Sequence, residues 1–115
     1  MLNRVNFYHA RLQKLYEREI SIILKKVVPQ KEFPFFSVSY CELSSQKENL
    51  KVYLLFVADE KNQKYLETIN QNYLSVVKRH LAKTKKFAYL PKINFLLDQK
   101  LKKIDELEKV LQNLE

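Results

Sequence analysis

A chain of 115 residues without a single glycine gives up the backbone conformations from which most ligand-cradling loops are built. Glycine supplies positive φ and lets a backbone come close to a phosphate, so the phosphate-binding loop and the dinucleotide-binding fingerprint are both excluded. A nucleotide-driven enzyme is therefore not expected. Helices and strands must carry the fold, and hydrophobic residues at 46% beside charged residues at 30% suit a globular domain. A chain of this length buries roughly two-thirds of its unfolded surface, enough for one core without staples. Cys41 is the only cysteine, which rules out an internal disulfide and a cysteine-rich zinc site. The longest apolar run, Val52 to Ala58, is far short of the roughly 20 residues of a spanning helix. The N-terminus carries arginines and no apolar signal core. A cytoplasmic location with no membrane partner is expected.

The formal charge is +8, and its distribution is sharper than its total. Lysine and arginine minus aspartate and glutamate give +4 for residues 1–34, −1 for 35–67, +6 for 68–97 and −1 for 98–115. Between Glu67 and Asp98 there is no acid, while Lys78, Arg79, Lys83, Lys85, Lys86 and Lys92 are all basic. Two segments of one sign call for an anionic partner, with nucleic acid first.

Apolar residues recur at steps of three and four from Val5 to Val27, which predicts an amphipathic helix over residues 5–28, ended by Pro29. Arg4, Arg11, Lys14, Arg18 and Lys25 gather on its far side. Residues 37–44 suit a strand, Gln46 to Asn49 a polar turn, and Leu50 to Val57 a central strand, apolar on nearly both faces. Asp59 and Glu60 open a second helix that runs to about Lys83. Ile93, Phe95 and Leu97 alternate as a third strand, and Leu101, Ile104, Leu107, Leu111 and Leu114 predict a short last helix. The short turn pairs strands one and two antiparallel, and the helical crossover makes strand three parallel to strand two. An α+β fold follows: a three-stranded mixed sheet, order one, two, three, with helices on one face.

This pattern resembles the ribosome-binding factor A family of small bacterial ribosome-maturation factors. The resemblance rests on Glu19-Ile20 with Ile23-Leu24, on Val38, Glu42 and Ser44, on Lys51-Val52-Tyr53, and on Pro91, Ile93, Phe95 and Asp98, and it covers residues 8–98. It implies a type II KH-like fold, residues 1–98, that binds the free 30S subunit and its 16S rRNA late in maturation, with no catalytic activity, no cofactor and no small-molecule substrate. Residues 99–115 then form a C-terminal amphipathic helix packed on or extending from that domain, and a monomer is expected. Three positions depart from the family. Tyr73-Leu74-Ser75 stands where an Ala-x-Gly kink is usual, so a softer kink is expected. Ala88 loses a basic charge that Lys78 keeps at its own position, and Gln46 replaces a common aspartate. A conventional KH domain clamps single-stranded RNA with a GXXG loop, which a glycine-free chain cannot supply. Contacts from lysine and arginine to the RNA backbone take its place.

The expected RNA-binding residues are therefore Arg11, Lys14, Arg18 and Lys25 on the first helix, as the smaller contact surface, and Lys78, Arg79, Lys83, Lys85, Lys86 and Lys92. Phe87 and Tyr89, interleaved with those lysines, are candidates for base stacking, whereas Tyr8, Tyr16, Phe56 and Phe95 lie at core spacing. His9 and His80 lack partners at ligand spacing, so no metal is expected. Cys41 reads as a small buried hydrophobe. Two terminal heptads are too few for a coiled-coil dimer. A reading of another class is a protein-interaction module using the open sheet face and the terminal helix.

Overall fold

The computed structural model describes residues 2–57 and 61–99, with side chains from Phe7 onward. The expected terminal helix and the Asp59-Glu60 helix start lie outside the described residues. The elements are α1 (Leu2–Val27), β1 (Phe36–Leu43), β2 (Asn49–Phe56), α2 (Asn62–Asn72), α3 (Leu74–Thr84) and β3 (Lys92–Leu97). The sheet order is β1-β2-β3, with β1 antiparallel and β3 parallel to β2, as the connections require.

Leu50, Val52, Leu54 and Phe56 of β2 are buried while Lys51 is exposed and Tyr53 and Leu55 are half-buried. Among the described residues the helices therefore cover one face only, and the core lies between that face and Tyr16, Ile20, Ile23 and Leu24 of α1, Leu66 and Ile69 of α2, and Val77 and Leu81 of α3. In β1 a register shift between Val38 and Tyr40 marks a bulge at Ser39. The extra residue resets the pleat, so Phe36 and Val38 before it and Cys41 and Leu43 after it all face the core. Each outer edge of the sheet is blunted by a helix amide. Gln13 Oε1 accepts from Leu43 N at 2.8 Å, while Asn70 accepts from Phe95 N at 3.1 Å and donates to Phe95 O at 3.0 Å. These bonds occupy groups an edge strand would otherwise offer to another chain.

The single long helix expected up to Lys83 is two helices. Tyr73, at φ −117 and ψ −11, separates α2 from α3, and its ring packs edge-on to Phe33 with centroids 6.1 Å apart. The break lets α2 lie over β3 while α3 packs beside α1. It needs neither proline nor glycine, and it falls at Tyr73, the first residue of the Tyr73-Leu74-Ser75 segment where a kink was expected. Among the described residues Lys47 and Lys85 hold the positive φ values, 61 and 56, where another chain would place glycine. Each costs roughly 1 to 2 kcal/mol relative to a right-handed residue. Tyr8, placed in the core by its spacing, is 59% exposed, because it lies in the part of α1 that precedes the buried stretch beginning at Tyr16. Among the described residues no helix is long and apolar enough to cross a membrane.

Candidate nucleic-acid interface

Burial of Tyr16, Ile20, Ile23 and Leu24 fixes the rotation of α1. At about 100° per residue, Arg11, Lys14, Arg18 and Lys25 then point away from the sheet, and all four are exposed. At 1.5 Å per residue the stripe runs about 21 Å along the helix. In α3, Val77 and Leu81 face the core; the same rotation turns Arg79 and Lys83 outward and leaves Lys78 half-buried on the flank. Since α1 and α3 are packed neighbours over one sheet face, the two stripes lie on one outer surface.

The segment after α3 is fastened to α1 in three places. Lys86 Nζ meets Glu19 Oε1 at 2.6 Å, Phe87 stacks on Tyr16 with centroids 4.2 Å apart and planes 7° apart, and the Tyr16 hydroxyl donates to Tyr89 O at 3.1 Å. Burial, and then the neighbouring Tyr8, push the Tyr16 phenol above its usual pKa, so it stays a donor at neutral pH. Two expectations change here. Lys86 is exposed, but its charge is countered by Glu19, which is 7% exposed; it clips the loop down and is not a free phosphate contact. Phe87 is half-buried with one ring face taken by Tyr16, so it is a packing residue. Lys85 remains exposed at the left-handed end of α3, and Tyr89 is 88% exposed. Lys92 is exposed too, but its neighbour Ile93 faces the core, so strand alternation turns Lys92 to the uncovered side of the sheet. The structure does not bring it to the helical surface.

Removing Lys86 leaves a buried carboxylate without its cation. A fully buried pair would lose about 3 to 5 kcal/mol this way, but the Lys86 side chain is 52% exposed, and screening reduces the expected cost of Lys86→Met to about 1 to 2 kcal/mol. Glu19→Gln in the same chain should recover part of it. Denaturant titrations of the two single variants and the double variant give the coupling; strictly additive losses would show that the clip is not closed in solution.

Lys47 is a cation the sequence did not single out. Its Nζ lies 4.5 Å from the centroid of the Tyr8 ring, and His9 Nε2 meets Ser44 O at 3.1 Å, so the β1–β2 turn is held against the start of α1. The net −1 of residues 35–67 concealed it. A glycine-free turn does imply that some side-chain-bearing residue must take the left-handed position. Cys41 is buried and its thiol is pushed up to about 12, by burial first and Glu17 second, so it is inert near neutral pH. Among the described residues no group of three histidine, cysteine, aspartate or glutamate side chains could hold a metal ion.

Among the described residues, three helices laid over one face of a mixed three-stranded sheet, without a glycine-rich clamp, define a small KH-like α+β protein. The family model of ribosome-binding factor A matches residues 8–111, and the chain belongs to that family. Ribosome-binding factor A of Coprothermobacter proteolyticus is 27% identical over 105 residues, covering 91% of this chain and 76% of that protein. The Halothermothrix orenii protein of the same name is 29% identical over 108 residues, covering 91% and 88%. The crystal structure of ribosome-binding factor A from Thermus thermophilus superposes with a TM-score of 0.65 at 20% identity, covering 77% of this chain and 93% of that one. A homology model of the Thermus thermophilus factor, as fitted into the cryo-EM map of a complex of the 30S subunit with ribosome-binding factor A, gives 0.63 at 18% identity, covering 76% and 92%.

Proposed function

We propose that this chain is a maturation factor of the small ribosomal subunit, binding the free 30S particle and its 16S rRNA as a non-catalytic monomer in the cytoplasm. The observation that carries the reading is the single outer surface made by the basic stripes of α1 and α3. Its cations, Arg11, Lys14, Arg18, Lys25, Arg79, Lys83 and Lys85, follow the shape and charge of folded RNA without reading base edges, which is how a KH-like domain lacking the GXXG clamp binds it. Family membership supports the same partner. In a sucrose gradient the protein should comigrate with free small subunits and much less with 70S particles. A protein that stays at the top of the gradient in low salt defeats the reading.

A second reading, a protein-interaction module, draws on the uncovered sheet face. There Tyr40 stacks on Tyr53 with centroids 4.3 Å apart, and Glu42 pairs in register with Lys51. Charges of both signs around a tyrosine pair suit a protein surface better than a phosphate backbone.

A further inference from the structure

We infer that Tyr89 is a stacking platform for an unpaired nucleobase of the RNA bound by the basic helical surface; the inference rests on that proposed function and adds the class of nucleotide recognised. The main chain around Tyr89 is held on all sides. Lys85 ends α3 in a left-handed turn, Lys86 is clipped to Glu19, Phe87 lies flat on Tyr16, and the Tyr89 carbonyl accepts the Tyr16 hydroxyl. Pro91 is buried, and Lys92 N donates to Glu48 O at 2.8 Å. Against this fixed backbone Tyr89 is 88% exposed, with no hydrogen bond or ring contact of its side chain among the described residues.

A rigid main chain that turns a bare aromatic ring into solvent suits an occupant whose face matches that ring. Lys83 and Lys85 stand six and four residues before Tyr89 in the chain and both are exposed, so an occupant that reaches all three is part of a polyanion. Every nucleobase has a π-face, but only an unpaired one can leave its own stack to cover a protein ring. Phosphates held by Lys83 and Lys85 would bring such a base to Tyr89, and because the loop is already ordered, little conformational entropy is lost when it lands.

The test compares binding of intact 30S subunits and of protein-free 16S rRNA by the wild type and by Tyr89→Ala, Tyr89→Phe and Tyr16→Phe. An exposed ring contributes little to folding, so the Tyr89 variants should melt like the wild type. Loss of a stacked base weakens binding by about 5- to 150-fold, so Tyr89→Ala should fall by that factor on both targets with its salt dependence unchanged. Tyr89→Phe, which keeps the ring, should bind like the wild type. Tyr16→Phe removes only the hydroxyl that fixes Tyr89 O; it should weaken binding mildly, and not at all in the Tyr89→Ala background. Tyr89→Trp gives the chain its only tryptophan, and a stacked base should quench its fluorescence when 16S rRNA is added. If Tyr89→Ala binds both targets as tightly as the wild type, while Lys83→Gln with Lys85→Gln lowers the salt dependence, the stacking platform is overturned and the RNA reading stands. Weakening on 30S subunits but not on bare rRNA means the ring meets a ribosomal protein, which also overturns it. A wild-type chain that binds neither target removes the proposed function, and the platform with it.

Discussion

A Leu54→Ala variant should lose about 2 to 5 kcal/mol of stability, a large share of the roughly 5 to 15 kcal/mol that holds a domain of this size together. Leu54 is 0% exposed, at the middle of the sheet, paired with Val38 of β1 on one side and Leu97 of β3 on the other. A strand hydrogen-bonded along both edges cannot shift to close a hole, so the cavity left by three lost carbons stays open. Leu55, the next residue, points to the uncovered face and is half-buried. Leu55→Ala should cost much less, which makes it the internal control for an effect of chemistry alone. Denaturant titration separates the two. Equal losses, or a loss near zero for Leu54, would mean that β2 is not the buried centre of the sheet.

The placement of β2 was legible because alternation of side chains along a strand is a local property that burial enforces. At β1 the same property is not enough to assign faces. FSVSYCEL alternates consistently only if a bulge at Ser39 changes its parity, and the position of a bulge is set by the partner strand. Tyr73 posed a similar problem. Helical periodicity runs through it, so only the family resemblance marked where a break would fall, and the Phe33 ring that Tyr73 packs on is distant in sequence. The basic residues of α1 and α3 were readable as stripes, since a helix buries one face by rotation alone. What those residues do in the site depends on distant partners. Lys86 counts as one more cation in its segment until Glu19, 67 residues away, is seen to hold it. Phe87 and Tyr89 are two residues apart and look equivalent in sequence, yet Tyr16 covers one and leaves the other bare. Contacts between α1 and the loop after α3 therefore decided which of the candidate residues remain available to a partner.

The largest effect on binding should come from the helical surface and be read as a change in salt dependence. Each cation that neutralises a phosphate releases condensed counterion, and the log–log slope of affinity against salt falls by about 0.9 per lost contact when folded RNA is treated as duplex. Lys83→Gln with Lys85→Gln should therefore flatten the slope by up to about 2. Adding Lys86→Gln should flatten it no further, since Lys86 is held by Glu19, and should act on stability instead. From sequence alone the α1 residues were the smaller surface. The structure places Arg11, Lys14 and Arg18 on the same outward side as Arg79 and Lys83, so Gln at those three positions should flatten the slope by up to about 3, an equal effect per residue. The two sets should add, because exposed residues on separate helices share no partner. Folding should be untouched, and circular dichroism melting checks that. A folded Lys83→Gln, Lys85→Gln chain that keeps both its affinity for 30S subunits and its salt slope would show that the end of α3 is only solvated surface. If the α1 variants alone lost slope, the footprint would be confined to α1, and the basic run after Glu67 would need another partner.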